Sequence, residues 1–106
     1  MKKAKRARLE ARGWRLGSAA DFLGLSAEEA ALVETKLVLS QALRRKRVSR
    51  QLTQQQLARR LKSSQSRVAK MEAADKSVSV DLLLKGLFAL GAKPADIGRA
   101  LQLAAA

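Results

Sequence analysis

The stretch Leu52–Glu72, LTQQQLARRLKSSQSRVAKME, reads as two short helices joined by a tight turn, and the rest of the chain is arranged around it. Thr53 and Gln56 form a Thr-x-x-Gln capping box, in which each side chain satisfies a backbone N–H of the other residue. Leu57, Ala58 and Leu61 place one apolar stripe on the helix that Thr53 opens. Lys62-Ser63-Ser64 breaks the pattern, and the Ser64 hydroxyl suits the cap of a second helix. In that second helix Val68 and Met71 point inward. Gln65, Ser66, Arg67 and Lys70 are left outside.

A small helix with an outer face of amide, hydroxyl and guanidinium groups suits the reading of base edges in a major groove. The spacing Leu-Thr-Gln-x-x-Leu-Ala-x-x-Leu, then Ser-Gln-Ser-x-Val-x-x-Met-Glu, resembles the helix-turn-helix of phage-repressor-like (Cro/XRE-type) regulators, over roughly residues 40–97 with the motif at 53–72. The resemblance implies an all-α, repressor-like five-helix domain and a regulator that binds double-stranded DNA. It also implies roles. Gln54, at the start of the first helix, falls where a phosphate contact is expected, and Gln65, Ser66 and Arg67 fall where base readers are expected. Arg59, Arg60 and Lys70 would position the domain without reading sequence, with Ser64 and Arg44 as further DNA contacts. Two departures stand out: Lys62 occupies the turn position where such domains carry Gly, and Ala73-Ala74 follows the second helix where Gly is frequent. A left-handed residue other than Gly costs on the order of 1 kcal/mol.

The charge pattern agrees with a polyanionic partner. The 106 residues include 22 Lys and Arg against 9 Asp and Glu, a formal net charge of +13. From Lys36 to Lys70 there are eleven basic residues and no acidic one. Such a block attracts nucleic acid first and an anionic membrane surface second. With no Cys and no His, disulfides, thiolate or imidazole metal sites and imidazole base chemistry are excluded. No nucleotide-phosphate loop and no catalytic constellation is present, so neither an enzyme nor a cofactor is expected. No apolar run approaches the ~20 residues of a membrane span. The basic start is not followed by the apolar segment of a signal peptide, which leaves a cytoplasmic protein as the expectation.

Around the motif the chain divides in two. Residues 1–25 make a basic N-terminal arm followed by a short apolar segment with Trp14, Leu16, Phe22 and Leu23, where Ser18 suits the cap of a short helix. Residues 26–106 make the helical domain. Ser26-x-x-Glu29 is a second capping box and opens the longest helix, which reaches about Val48 and spans roughly 33 Å. Leu32, Leu39 and Leu43 mark its apolar stripe, with Val33 and Leu37 beginning another. Arg44–Arg47 suit its negative C-terminal end. Ser79 caps a helix whose Leu83, Leu84, Leu87 and Phe88 are expected in the core, Gly91 stops it, and Pro94 opens a last helix carrying Ile97, Leu101 and Leu103. Glu72 is placed to pair with basic neighbours.

The segment Trp14–Glu34 exceeds what a minimal repressor-like domain needs, and in this the chain also resembles HigA-type antitoxins. That resemblance implies a repressor of its own operon with a RelE-like toxin as partner. A homodimer on a palindromic operator is the expected DNA-bound form, because one motif covers only a few base pairs. The alternative function is a non-specific nucleic-acid-binding architectural protein, which would use the same charge without needing the Gln65-Ser66-Arg67 face. Either way duplex binding should be steeply salt-dependent. About six phosphates at a slope of about −0.9 each give a log–log slope of roughly −5, and a slope near zero in titrations at several salt concentrations would remove the electrostatic reading.

Overall fold

The computed structural model describes residues 24–105. Among them are five α-helices and no strand: α1 (Ala27–Ser49), α2 (Gln54–Arg60), α3 (Gln65–Glu72), α4 (Val80–Ala89) and α5 (Pro94–Ala105). The all-α, five-helix expectation therefore holds. The basic arm, the Trp14 segment and the short helix after Ser18 lie outside the described residues.

The helix starts follow from local chemistry. Both capping boxes close reciprocally: Ser26 with Glu29 at α1 and Thr53 with Gln56 at α2. At α3 and α4 the Ser64 and Ser79 hydroxyls accept from the N–H groups of Arg67 and Leu82. Pro94 begins α5, where its missing N–H is no loss. One residue upstream the Lys93 N–H donates to Asp96 Oδ2 at 2.8 Å.

Four helix ends share one geometry. After α4, the Gly91 N–H donates to the Phe88 carbonyl and the Ala92 N–H to the Leu87 carbonyl, with Gly91 left-handed at φ +95°. The same pair of bonds ends α1, α2 and α3, but there the left-handed residues are Gln51, Lys62 and Ala74, at φ 58°, 54° and 55°. The two departures at Lys62 and Ala74 thus leave the turn geometry intact and add backbone strain.

The core is small and lies between α1 and the other helices. Leu39 and Leu43 of α1 meet Leu57 and Ala58 of α2, Val68 and Met71 of α3, Leu83 and Leu87 of α4, and Val78, Leu90 and Ala92 from the loops. Gly86 permits the closest approach of α4, since a Cβ there would stand 3.0 Å from Met71 Cε and 3.1 Å from Leu43 Cδ1. Two expectations need correction. Phe88 is 45% exposed, because α1 covers one side of α4 and Leu83 and Leu87 occupy it. Leu32 is 52% exposed although it shares the stripe of Leu39 and Leu43, because no residue from 27 to 38 of α1 is buried. Leu101 and Leu103 are exposed as well.

The strain makes opposite predictions for two helix ends. Gln51→Gly should raise unfolding stability by about 1 kcal/mol. Gly91→Ala should lower it by about the same amount, because its φ of +95° disfavours any Cβ, while the exposed Arg50 guanidinium 2.7 Å from that Cβ can swing aside. Chemical denaturation of both variants checks this, and shifts of the same sign would contradict it.

Candidate nucleic-acid interface

The exposed face of α3 is built from the chain of hydrogen bonds behind it. Arg47, near the end of α1, turns inward and grips Glu72 at the end of α3, with Nε donating to Oε2 at 2.5 Å and Nη2 to Oε1 at 3.0 Å. Its third nitrogen, Nη1, donates to the Leu52 carbonyl at 2.7 Å, fixing the loop that leads into α2. The pair is largely shielded, the side chains being 12% and 4% exposed. The Glu72 hydrogen bond and charge hold the Arg47 pKa above its already high ordinary value, against the opposing effect of burial. Arg47 is therefore a fixed cation at every accessible pH.

Glu72 passes this order on to the surface. Gln54 Nε2 donates to Glu72 Oε1 at 3.1 Å, and Gln65 Nε2 donates to Gln54 Oε1 at 2.7 Å. An unbroken chain thus runs Arg47–Glu72–Gln54–Gln65 from the interior to the first residue of α3. Beside it, the Ser64 and Ser66 hydroxyls share a bond at 3.3 Å. At about 100° per residue, Gln65 and Arg67 fall on opposite flanks of α3, while Ser66 and Lys70 point directly outward between them. All four are exposed, as are Arg59 and Arg60 on α2.

Arg44 stands apart from this cluster. It lies on the outer side of α1, in a surface groove whose described lining is Gln41, Arg44, Arg45, Val48 and Ser49, with nothing from α2 or α3. The sequence assigned Arg44–Arg47 together to the negative end of the long helix and did not show that Arg47 turns inward while Arg44 faces solvent. The signal was present in part: Glu72 is the first acid after Glu34, which makes it the nearest carboxylate downstream for a cation of the block.

The loop after α3 is anchored too. Asp75 Oδ2 accepts from the Ser77 hydroxyl at 2.5 Å and from the Ser77 N–H at 2.9 Å. These bonds, aided by Lys70 and Lys36 nearby, hold the Asp75 carboxyl below its ordinary value. A depressed carboxylate contributes stability above its unfolded-state pKa and loses it as pH falls through the folded value.

Among the described residues no group of His, Cys, Asp or Glu could hold a metal ion, and no helix is long and apolar enough to cross a membrane. Two short helices in contact, the second presenting its N-terminal end with polar and cationic side chains outward, define a helix-turn-helix DNA-binding domain. A family model described as Helix-turn-helix matches residues 43–97, just over half of the chain. The chain belongs to that family, the Cro/C1-type, XRE-like helix-turn-helix proteins, and is a DNA-binding transcription regulator. No curated protein and no solved structure matches it.

Removing Glu72 should be costly because it leaves the Arg47 guanidinium shielded and unpaired. Glu72→Ala is expected to lose on the order of 3 kcal/mol of unfolding stability. The double variant Arg47→Met/Glu72→Met should lose clearly less than the two single variants together. Strict additivity in urea titrations would show that the pair does not act as a unit.

Proposed function

We propose that this regulator is a sequence-specific repressor, acting in the cytoplasm as a homodimer on a two-fold operator, with Gln65, Ser66 and Arg67 as its base readers. The observation that carries the reading is the bond from Gln65 to Gln54. An architectural protein that grips any duplex has no use for a surface amide held in one orientation. The bond uses one proton of the Gln65 amide and leaves the other proton and Oε1 free. Those are the donor and acceptor that adenine N7 and N6 require together. Gln54, Ser64, Arg59, Arg60, Lys70 and Arg44 serve as contacts that orient the domain without reading sequence. For the dimer, the exposed Phe88, Leu101 and Leu103 are the residues of α4 and α5 available to a second copy.

An antitoxin role is a second layer of the same proposal. It is favoured by Leu32 and Val33, 52% and 37% exposed on the half of α1 that leads away from α2 and α3. Together with the segment 1–25 they would form the surface for a RelE-like toxin. Deleting residues 1–25 should then weaken toxin capture more than duplex binding, and unchanged capture would move that interface elsewhere.

The base readers are tested with one operator and one scrambled duplex at the same salt concentration. Gln65→Ala and Arg67→Ala should each cost about 1–3 kcal/mol on the operator and little on the scrambled duplex. Arg59→Ala should weaken both by a similar factor. Equal losses on the two duplexes for Gln65→Ala and Arg67→Ala would leave the architectural reading in its place.

A further inference from the structure

We propose that Lys62 is an additional DNA-backbone contact, held beside the duplex by a backbone conformation that folding alone does not favour. The inference rests on the duplex-binding reading above and adds a residue to it. Lys62 is exposed in the turn between α2 and α3, at φ 54°. Its N–H donates to the Arg59 carbonyl at 3.1 Å, and the next N–H, of Ser63, donates to the Ala58 carbonyl at 2.8 Å. That arrangement needs a left-handed residue, and Gly91 fills the equivalent position after α4 without steric cost. A lysine there adds strain and, among the described residues, gains no ion pair: the pairs are Arg47–Glu72 and Arg99–Asp96, and neither involves it.

The position explains what a cation would do. In helix-turn-helix docking, the start of the second helix meets base edges while the first helix crosses the sugar–phosphate backbone. A helix with its side chains is about 10–12 Å across, and the major groove is about 12 Å wide. The helix therefore fills the groove, and the turn feeding its first residue must lie against a phosphate wall. Lys62 precedes Gln65 by three residues and follows Arg59 by three. Arg59, Ser63 and Gln65 together line an open groove between α2 and α3, so the turn and the reading end share one side of the domain. From the exposed turn next to that groove, an ammonium on a flexible four-carbon stem can reach phosphate oxygens.

Ala74 provides the control, since it carries the same strain at φ 55° and no charge. Duplex binding by the full chain is measured with a random-sequence duplex of about 20 base pairs over a salt series, beside thermal unfolding. Lys62→Gly should raise Tm by about 4–8 °C. It should also weaken binding on the order of five- to tenfold near 0.1 M salt and make the log–log slope shallower by about 0.9. Ala74→Gly should give a similar rise in Tm with affinity and slope unchanged, and Lys62→Arg should bind as the wild type does. Wild-type affinity and slope in Lys62→Gly would overturn the proposal. An equal loss in Ala74→Gly would overturn it as well, because relaxation of a helix end would then account for the weakening. If the wild-type chain bound no duplex at low salt, the DNA-binding reading itself would fall, and this inference with it.

Discussion

The grip of Arg47 on Glu72 decides how the two halves of the domain meet. Between Lys36 and Lys70 the chain gathers eleven cations without an acid, and α2 and α3 both belong to that stretch. Packing them against α1 brings like charges together unless one is drawn inside and neutralised. Glu72 does this from the last turn of α3, where its side chain faces α1 rather than solvent. A shielded ion pair is weak evidence of net stability, because desolvation offsets most of the attraction. What it supplies here is geometry. Three Arg47 nitrogens bind two separate places, the Glu72 carboxylate and the Leu52 carbonyl, so α1, the start of α2 and the end of α3 are tied by one planar group.

That tie is why the polar surface of α3 has a fixed arrangement. Gln54 is held from behind by Glu72 and in turn holds Gln65, so the first residue of α3 inherits its orientation from an arginine on another helix. A surface glutamine without such support samples several rotamers, and ordering it on binding opposes association. Pre-ordering by neighbours reduces that opposition. The side chains of Arg67 and Lys70 have no comparable support among the described hydrogen bonds.

Much of this was readable from the sequence, and the division follows the range of the interactions. The caps at Ser26, Thr53, Ser64 and Ser79 are contacts across three residues, so spacing alone revealed them. Leu39, Leu43, Leu57, Val68, Met71, Leu83 and Leu87 were legible as core because apolar periodicity reports which side of a helix faces inward. Periodicity does not report where the covering helix ends. Leu32 and Phe88 therefore fit their stripes and still reach solvent. The inward turn of Arg47 was hidden for the same reason, since its partner lies twenty-five residues away and its neighbours in sequence are equally basic. The left-handed Gln51 had no signal either, whereas Lys62 and Ala74 were marked by the missing glycines of the resembling motif.

The positions of strain and relief are also unequal. The three helix ends with left-handed residues bearing a Cβ, Gln51, Lys62 and Ala74, close α1, α2 and α3, while the relaxed end at Gly91 closes α4. At on the order of 1 kcal/mol each, the three together amount to a sizeable fraction of the 5–15 kcal/mol typical of a folded domain. In a small domain that unfolds as a unit, that strain lowers the stability of the whole fold. A ligand that binds only the folded form adds RT ln(1 + [L]/Kd), about 2.7 kcal/mol at a hundredfold excess over Kd. Duplex binding at that level offsets nearly all of the strain. A bound duplex would thus return to the folded domain most of the stability that these helix ends remove.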